Sequence, residues 1–218
     1  YAHKRYAECL ESINYIAKFN NRPPVPRIET FHKEEYQPEQ IQDTFCKPVY
    51  LLPLIVLSLA QICNNGFYYT IQYSIDDYGY RFETNMLVIG CIEFLSCFFT
   101  NFVCHKMKRK ISIIILMILS GGFGILVQTS EDKTVDIVFL ALSRLFNTVG
   151  FALFGLISSE TFPTAIRSTG LGITEAMSNL GNMGAPFLVS LSQTLRFKAV
   201  FVGGFLNIAG GISMLLVK

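Results

Sequence analysis

Residues Ile111–Gln128 read ISIIILMILSGGFGILVQ, eighteen positions without an ionisable side chain. At a helical rise of 1.5 Å per residue such a run reaches about 27 Å, close to the ~30 Å hydrocarbon core of a bilayer. Directly before it stands His105-Lys106-Met107-Lys108-Arg109-Lys110, a strongly basic segment of the kind that marks the cytoplasmic end of a membrane span. Five further apolar stretches flank this one, at about 48–71, 84–104, 135–158, 168–192 and 199–217. A soluble helical core would need polar faces on these helices, and the stretches show almost none. The reading is an all-α integral membrane protein, a bundle of six transmembrane helices over 48–218 in a lipid bilayer.

Composition agrees. The chain has 218 residues, 51% of them hydrophobic and 16% charged, against roughly 25% charged in an ordinary soluble domain. Fourteen of the 34 charged residues fall in the first 47 positions, so the later chain is poorer still in charge. Within residues 1–22, Tyr6, Leu10, Ile13 and Ala17 recur at spacings of three and four, which predicts an amphipathic helix. Pro23, Pro24 and Pro26 then forbid helix, and Ile28–Lys47 is a polar linker with Glu34, Glu35, Glu39 and Asp43. Residues 1–47 therefore form a cytoplasmic helix and linker leading into the bundle. A net charge of +2, with signs mixed, gives no reason to expect a nucleic-acid partner. The six cysteines, at 9, 46, 63, 91, 97 and 104, read as small buried hydrophobes rather than a disulfide framework. The chain opens on Tyr1 with no signal peptide, which is what a piece of a longer polypeptide would show.

With the 105–110 loop cytoplasmic, the N-terminal segment, the 159–167 loop and the C-terminus share its side. The loop around Arg196 and Lys198 then lies on the wrong side for its charge.

An ionisable group near the bilayer centre costs at least ~2.5–3.5 kcal/mol on insertion scales and is a functional candidate by default. Three qualify: Glu93, Arg144 and Glu175. Glu93 lies ten residues past Glu83 and Arg144 nine past Val135, depths of roughly 15 and 14 Å from the same face. The matched depths predict a pair across the second and fourth helices, serving either architecture or solute binding. The fifth helix is rich in small residues, with Glu175 and Asn179 one turn apart on one face and Asn179 near the midplane. That face is the best candidate for a ligand-facing surface; a structural alternative pairs Glu175 with Arg167. On the first helix Asn64, Asn65, Tyr68, Tyr69 and Gln72 form a polar, aromatic cluster suited to a binding wall or to an interfacial belt. The three histidines at 3, 32 and 105 are scattered through polar segments. No metal-ligand spacing or phosphate loop is present, so neither a cofactor nor an enzyme activity is expected.

Ser143-Arg144, then Glu160-Thr-Phe-Pro163-Thr-Ala-Ile-Arg167-Ser-Thr-Gly170-Leu-Gly172, then Gly181 and Ala185-Pro186 resemble the organic cation/anion/carnitine transporters of the major facilitator superfamily. The whole chain is similar to helices seven to twelve of such a transporter, with Tyr68, Tyr69 and Glu93 matching positions on the seventh and eighth. The resemblance implies alternating-access transport of a small organic solute, with Tyr68, Tyr69, Glu93, Arg144 and Asn179 at the cavity; Glu175, which matches no family position, joins them from its place one turn from Asn179. It also implies a cytoplasmic gate at Glu160 and Arg167, within the motif that includes Pro163, Gly170 and Gly172. Members that carry cations tend to hold Asp at the position of Asn179, and anion carriers Arg. Here the position is neutral, and nearby Glu175 turns the expectation toward a cation or zwitterion. The family's Asp-Arg-x-Gly-Arg-Arg loop is replaced by His105–Lys110, which puts a latch there in doubt. Rocking one bundle against another needs a second six-helix half, on the same polypeptide or a separate chain. The competing reading is a transport-inactive relic acting as an accessory subunit of a host membrane complex. The resemblance favours the plasma membrane, with an organelle membrane such as the mitochondrial inner membrane as the alternative.

Overall fold

The computed structural model describes residues 6–23, 48–74, 82–106, 108–129, 132–164, 166–195 and 197–216. The chain divides into two compact units, Tyr1–Gln40 and Ile41–Lys218. Among the described residues the first unit holds one helix, α1 (Tyr6–Phe19). Its end is a left-handed cap: Asn21 sits at φ 51°, Asn21 N–H donates to the Lys18 carbonyl and Arg22 N–H to that of Ala17. Asparagine tolerates this conformation better than other non-glycine residues, and the prolines that follow cannot resume the helix. Leu10 and Ala17 are half-buried, while Ile13 and Ile16 of the same apolar side remain exposed.

Among the described residues the second unit comprises six long helices: α2 (Pro48–Ser74), α3 (Phe82–Lys106), α4 (Arg109–Thr129), α5 (Lys133–Thr161), α6 (Arg167–Leu195) and α7 (Ala199–Ser213), the last continued by a 3-10 turn, Met214–Leu216. Most extend the apolar stretch at their centre by one to three residues at either end, because polar end residues still gain backbone hydrogen bonds. Five of the six are long and apolar enough to cross a membrane. At 29 residues α6 has the length but is the least apolar of the six, since Glu175, Asn179 and Asn182 lie along it.

The packing has internal symmetry. Helix α2 packs on α6, α7 and α5, helix α5 packs on α3, α4 and α2, and α4 packs on α7. Exchanging α2 with α5, α3 with α6 and α4 with α7 turns α2–α6 into α5–α3 and α2–α7 into α5–α4, and maps α2–α5 and α4–α7 onto themselves; only the smaller α5–α6 and α6–α7 contacts fall outside this pattern. The six helices are thus two three-helix repeats, an arrangement known from transporters.

Glycines make the closest crossings, as expected where helices associate in lipid without a hydrophobic driving force. A Cβ on Gly181 of α6 would meet the Ile62 carbonyl and lie 2.8 Å from the backbone nitrogen of Gly66 on α2. At the α4–α7 crossing a Cβ on Gly121 would lie 2.5 Å from the Gly204 carbonyl, and one on Gly204 2.7 Å from that of Gly121. Two polar clasps flank these contacts. Asn65 Nδ2 donates to Ser178 Oγ at 3.2 Å between α2 and α6. Ser120 and Ser143 exchange hydroxyl-to-carbonyl bonds of 2.9 and 2.8 Å between α4 and α5.

At the end opposite the basic loop, Lys198 Nζ donates to Asp136 Oδ2 at 2.8 Å and to the Val127 carbonyl at 2.5 Å, tying the start of α7 to α5 and α4. The misplaced charge anticipated at Lys198 is therefore neutralised locally; Arg196 lies outside the described residues. Asp136 is buried, so Lys198→Met would strand its carboxylate. The expected cost is about 3 kcal/mol, a fall of roughly 6–12 °C in melting temperature. Asp136→Asn should cost less, because Lys198 keeps the Val127 carbonyl and a partly open side chain. Thermal unfolding of the two variants checks the order.

One expectation is overturned. Cys91 and Cys97 are exposed on α3, while Cys63 and Cys104 are half-buried, all four as free thiols. Among the described residues α3 packs closely only on α5, which leaves most of its circumference, thiols included, on the bundle surface. Cys9 and Cys46 fall outside the described side chains.

Candidate functional site

Arg144 of α5 projects between α2 and α3 and is only 2% exposed. Its Nη1 donates to the Tyr68 carbonyl at 2.8 Å, and its Nη2 to Glu93 Oε1 at 2.8 Å and Gln72 Oε1 at 3.1 Å. The guanidinium carbon lies 3.4 Å from the centre of the Tyr68 ring, a stacked cation–π contact that a planar guanidinium is suited to make. Tyr68 Oη donates to the same Glu93 oxygen at 2.6 Å. A buried cation is thus met by a carboxylate, a carbonyl, a carboxamide and an aromatic face, the combination needed to offset its desolvation.

The two members of the ion pair differ in setting. The Arg144 side chain is 3% exposed and that of Glu93 is 40%. Glu93 Oε1 takes both Tyr68 and Arg144. Tyr69 packs edge-on against Tyr68 at 5.3 Å, and Phe151 of α5 stacks on Tyr68 at 6.4 Å. On the other flank a narrow apolar cleft lined by Ile71, Val88, Ile92 and Leu140 ends on Arg144.

Helix α6 contributes a second polar group. Its buried side, Gly170, Thr174, Ser178, Gly181, Ala185 and Val189, carries small residues, which lets Glu175 and Asn179 stand at the surface close to α2. Gln61 of α2 donates to Glu175 Oε2 at 2.7 Å. Asn179 Nδ2 donates to the Glu175 carbonyl at 3.2 Å and Asn182 Nδ2 to Asn179 Oδ1 at 3.1 Å. Glu175, Asn179 and Asn182 recur at intervals of four and three, so they form one polar stripe. The structure pairs Glu175 with Gln61 and not with Arg167.

At the basic end, Arg109 at the start of α4 is ion-paired with Glu160 at the end of α5. Arg167 Nε donates to the Phe162 carbonyl at 3.3 Å, so the structure does not join Glu160 to Arg167. Pro163 is exposed in the turn between α5 and α6, where its carbonyl accepts from Ile166 N–H at 3.1 Å. Gly170 is buried under the Phe162 ring, where a Cβ would lie 2.7 Å from the ring, whereas Gly172 faces open space. Gln61 and Asp136 are functional-looking residues that sequence reasoning passed over, and Arg109 was read only as part of the basic segment. The spacing of four from Gln61 to Asn65, within an otherwise apolar helix, was the available signal for the first.

Apolar helices long enough to cross a membrane, a buried arginine–glutamate pair among them and a polar stripe along α6 fit a multi-pass membrane protein of the transporter type. The sequence pattern of the Major Facilitator Superfamily matches residues 13–186, and the chain belongs to that superfamily. It is similar to the organic cation transporter-like protein of Drosophila melanogaster, 23% identical over 194 residues that cover 88% of this chain and 34% of the relative. It is 20% identical over 219 residues to organic anion transporter 3 of Rattus norvegicus, covering 95% and 41%. It is 23% identical over 212 residues to solute carrier family 22 member 13 of Homo sapiens, covering 95% and 38%. The chain therefore spans between 34% and 41% of the length of these relatives.

Proposed function

We propose that this chain is the C-terminal half of a solute transporter that carries small organic cations or zwitterions by alternating access. The observation that supports it best is the Tyr68–Glu93–Arg144 group, which holds a carboxylate half open at the depth where a solute would be bound midway across. Tyr69 offers a ring face to a cationic head group, while Tyr68, whose ring already carries the Arg144 guanidinium, orients the Glu93 carboxylate through its hydroxyl. Glu175 offers a second carboxylate, and Asn179 beside it a neutral acceptor and donor. A solute that binds one orientation of the protein better than the other shifts the equilibrium between them, and no covalent chemistry is needed.

The cytoplasmic end, in this reading, is a gate. The Arg109–Glu160 pair ties α4 to α5, and Arg167, with Pro163, Gly170 and Gly172, shapes the entry to α6. A second six-helix half, on the same polypeptide or a separate chain, closes the cavity on the α2, α3, α5 and α6 side, and the plasma membrane is the proposed location.

The test is uptake of tetraethylammonium, a permanently charged probe, by cells expressing the full-length polypeptide. Glu175→Gln is expected to lower uptake about tenfold, the effect of losing one charge-assisted contact, and Asn179→Asp to raise it. Unchanged uptake in both variants, at equal surface expression, removes α6 from the binding surface; no uptake by the parent removes the transport reading.

A further inference from the structure

Asn64 on α2 and Asn147 on α5 meet where the first helices of the two repeats touch, 0% and 1% exposed. Asn147 Nδ2 donates to the Asn64 backbone carbonyl at 3.3 Å. Asn64 Nδ2, Asn64 Oδ1 and Asn147 Oδ1 have no protein partner. Buried carboxamide atoms in native proteins are hydrogen-bonded in the great majority of cases, and leaving them bare is costly. About one turn along α5 from Asn147 stands Gly150, where a Cβ would lie 3.4 Å from Asn64 Oδ1, so the glycine leaves no side chain against that oxygen.

We propose that Asn64 and Asn147 form an internal binding site for a single water molecule at the α2–α5 contact. One donor and two acceptors are the complement of one water, which accepts once and donates twice, and about three bonds is typical for buried water. A sodium ion fits worse. It would use both Oδ1 atoms but would face the Asn64 and Asn147 amide hydrogens, with the buried Arg144 guanidinium one turn away on α5. The site lies between the two repeats, one turn from Tyr68 on α2 and from Arg144 on α5, and water-mediated bonds there would let the helices shift without stranding polar atoms.

The decisive experiment is an experimental structure of the full-length polypeptide in lipid nanodiscs, at a resolution that shows ordered water. The expected result is one density peak about 2.7–3.2 Å from both carboxamides. Two carboxamides paired directly to protein groups with no peak between them, or a peak at about 2.4 Å with cation-like coordination, would overturn the proposal. Thermal unfolding supplies a second readout. Asn64→Leu and Asn147→Leu should each lower the melting temperature, and the double variant by less than the two shifts added, since the second loss removes a group already deprived of its water. Replacing sodium chloride by potassium chloride should leave the parent's melting temperature unchanged. Additive shifts, or a sodium-dependent one, would count against a shared water.

Discussion

Glu93→Leu is expected to destabilise the bundle by about 3–5 kcal/mol, because it leaves the Arg144 guanidinium buried without a counter-charge. The reverse change, Arg144→Leu, should cost clearly less. Arg144 is sealed between α2 and α3, with only carbonyl and carboxamide oxygens left to it once Glu93 is gone. Glu93 keeps an open flank, and a carboxylate stranded beside water is solvated in place. The double change to leucine should recover most of the loss, as charge-free replacements of buried pairs often do. Thermal unfolding of the three variants in nanodiscs reads the order directly. If Arg144→Leu proves as damaging as Glu93→Leu, the open flank of Glu93 faces acyl chains and not a wet cavity.

The largest steric effect is expected at Gly181. A leucine there must displace the α2 backbone at Ile62 and Gly66, and a main chain cannot rotate out of the way as a side chain can. Overpacking commonly costs 1–3 kcal/mol; against backbone we expect about 3 kcal/mol or more, read as loss of the monodisperse folded fraction. Gly184, three residues further along α6, meets nothing within 4 Å, so Gly184→Leu should stay within about 0.5 kcal/mol of the parent. Equal behaviour of the two variants would mean that α2 and α6 do not cross through Gly66 and Gly181.

The helices were readable because a membrane span announces itself through composition over its whole length. Helical rise alone put Glu93 and Arg144 at one depth, and their atoms meet at 2.8 Å. The rotation of a helix about its axis was harder to read. Asn64 and Asn65 are neighbours in sequence, yet Asn65 finds Ser178 on α6 and Asn64 turns to α5. Exposure of Cys91 and Cys97 was misjudged for the same reason, since an apolar helix carries no polar face to mark which side is covered. Charges at helix ends were harder still: Glu160 takes Arg109 from another helix, a choice made by the packing of α4 on α5 and not by spacing along the chain.

The central claim is that the Glu175–Asn179 stripe borders water within the membrane. It is tested most directly by the reaction of single cysteines with a charged, membrane-impermeant thiol reagent, in the full-length polypeptide with its native cysteines replaced by serine. Asn179→Cys is expected to react at least tenfold faster than Leu206→Cys, an exposed apolar position on α7, and to be slowed by a bound cationic solute; tenfold corresponds to about 1.4 kcal/mol in barrier. Equal, slow labelling at both positions would place the stripe against lipid and contradict the account.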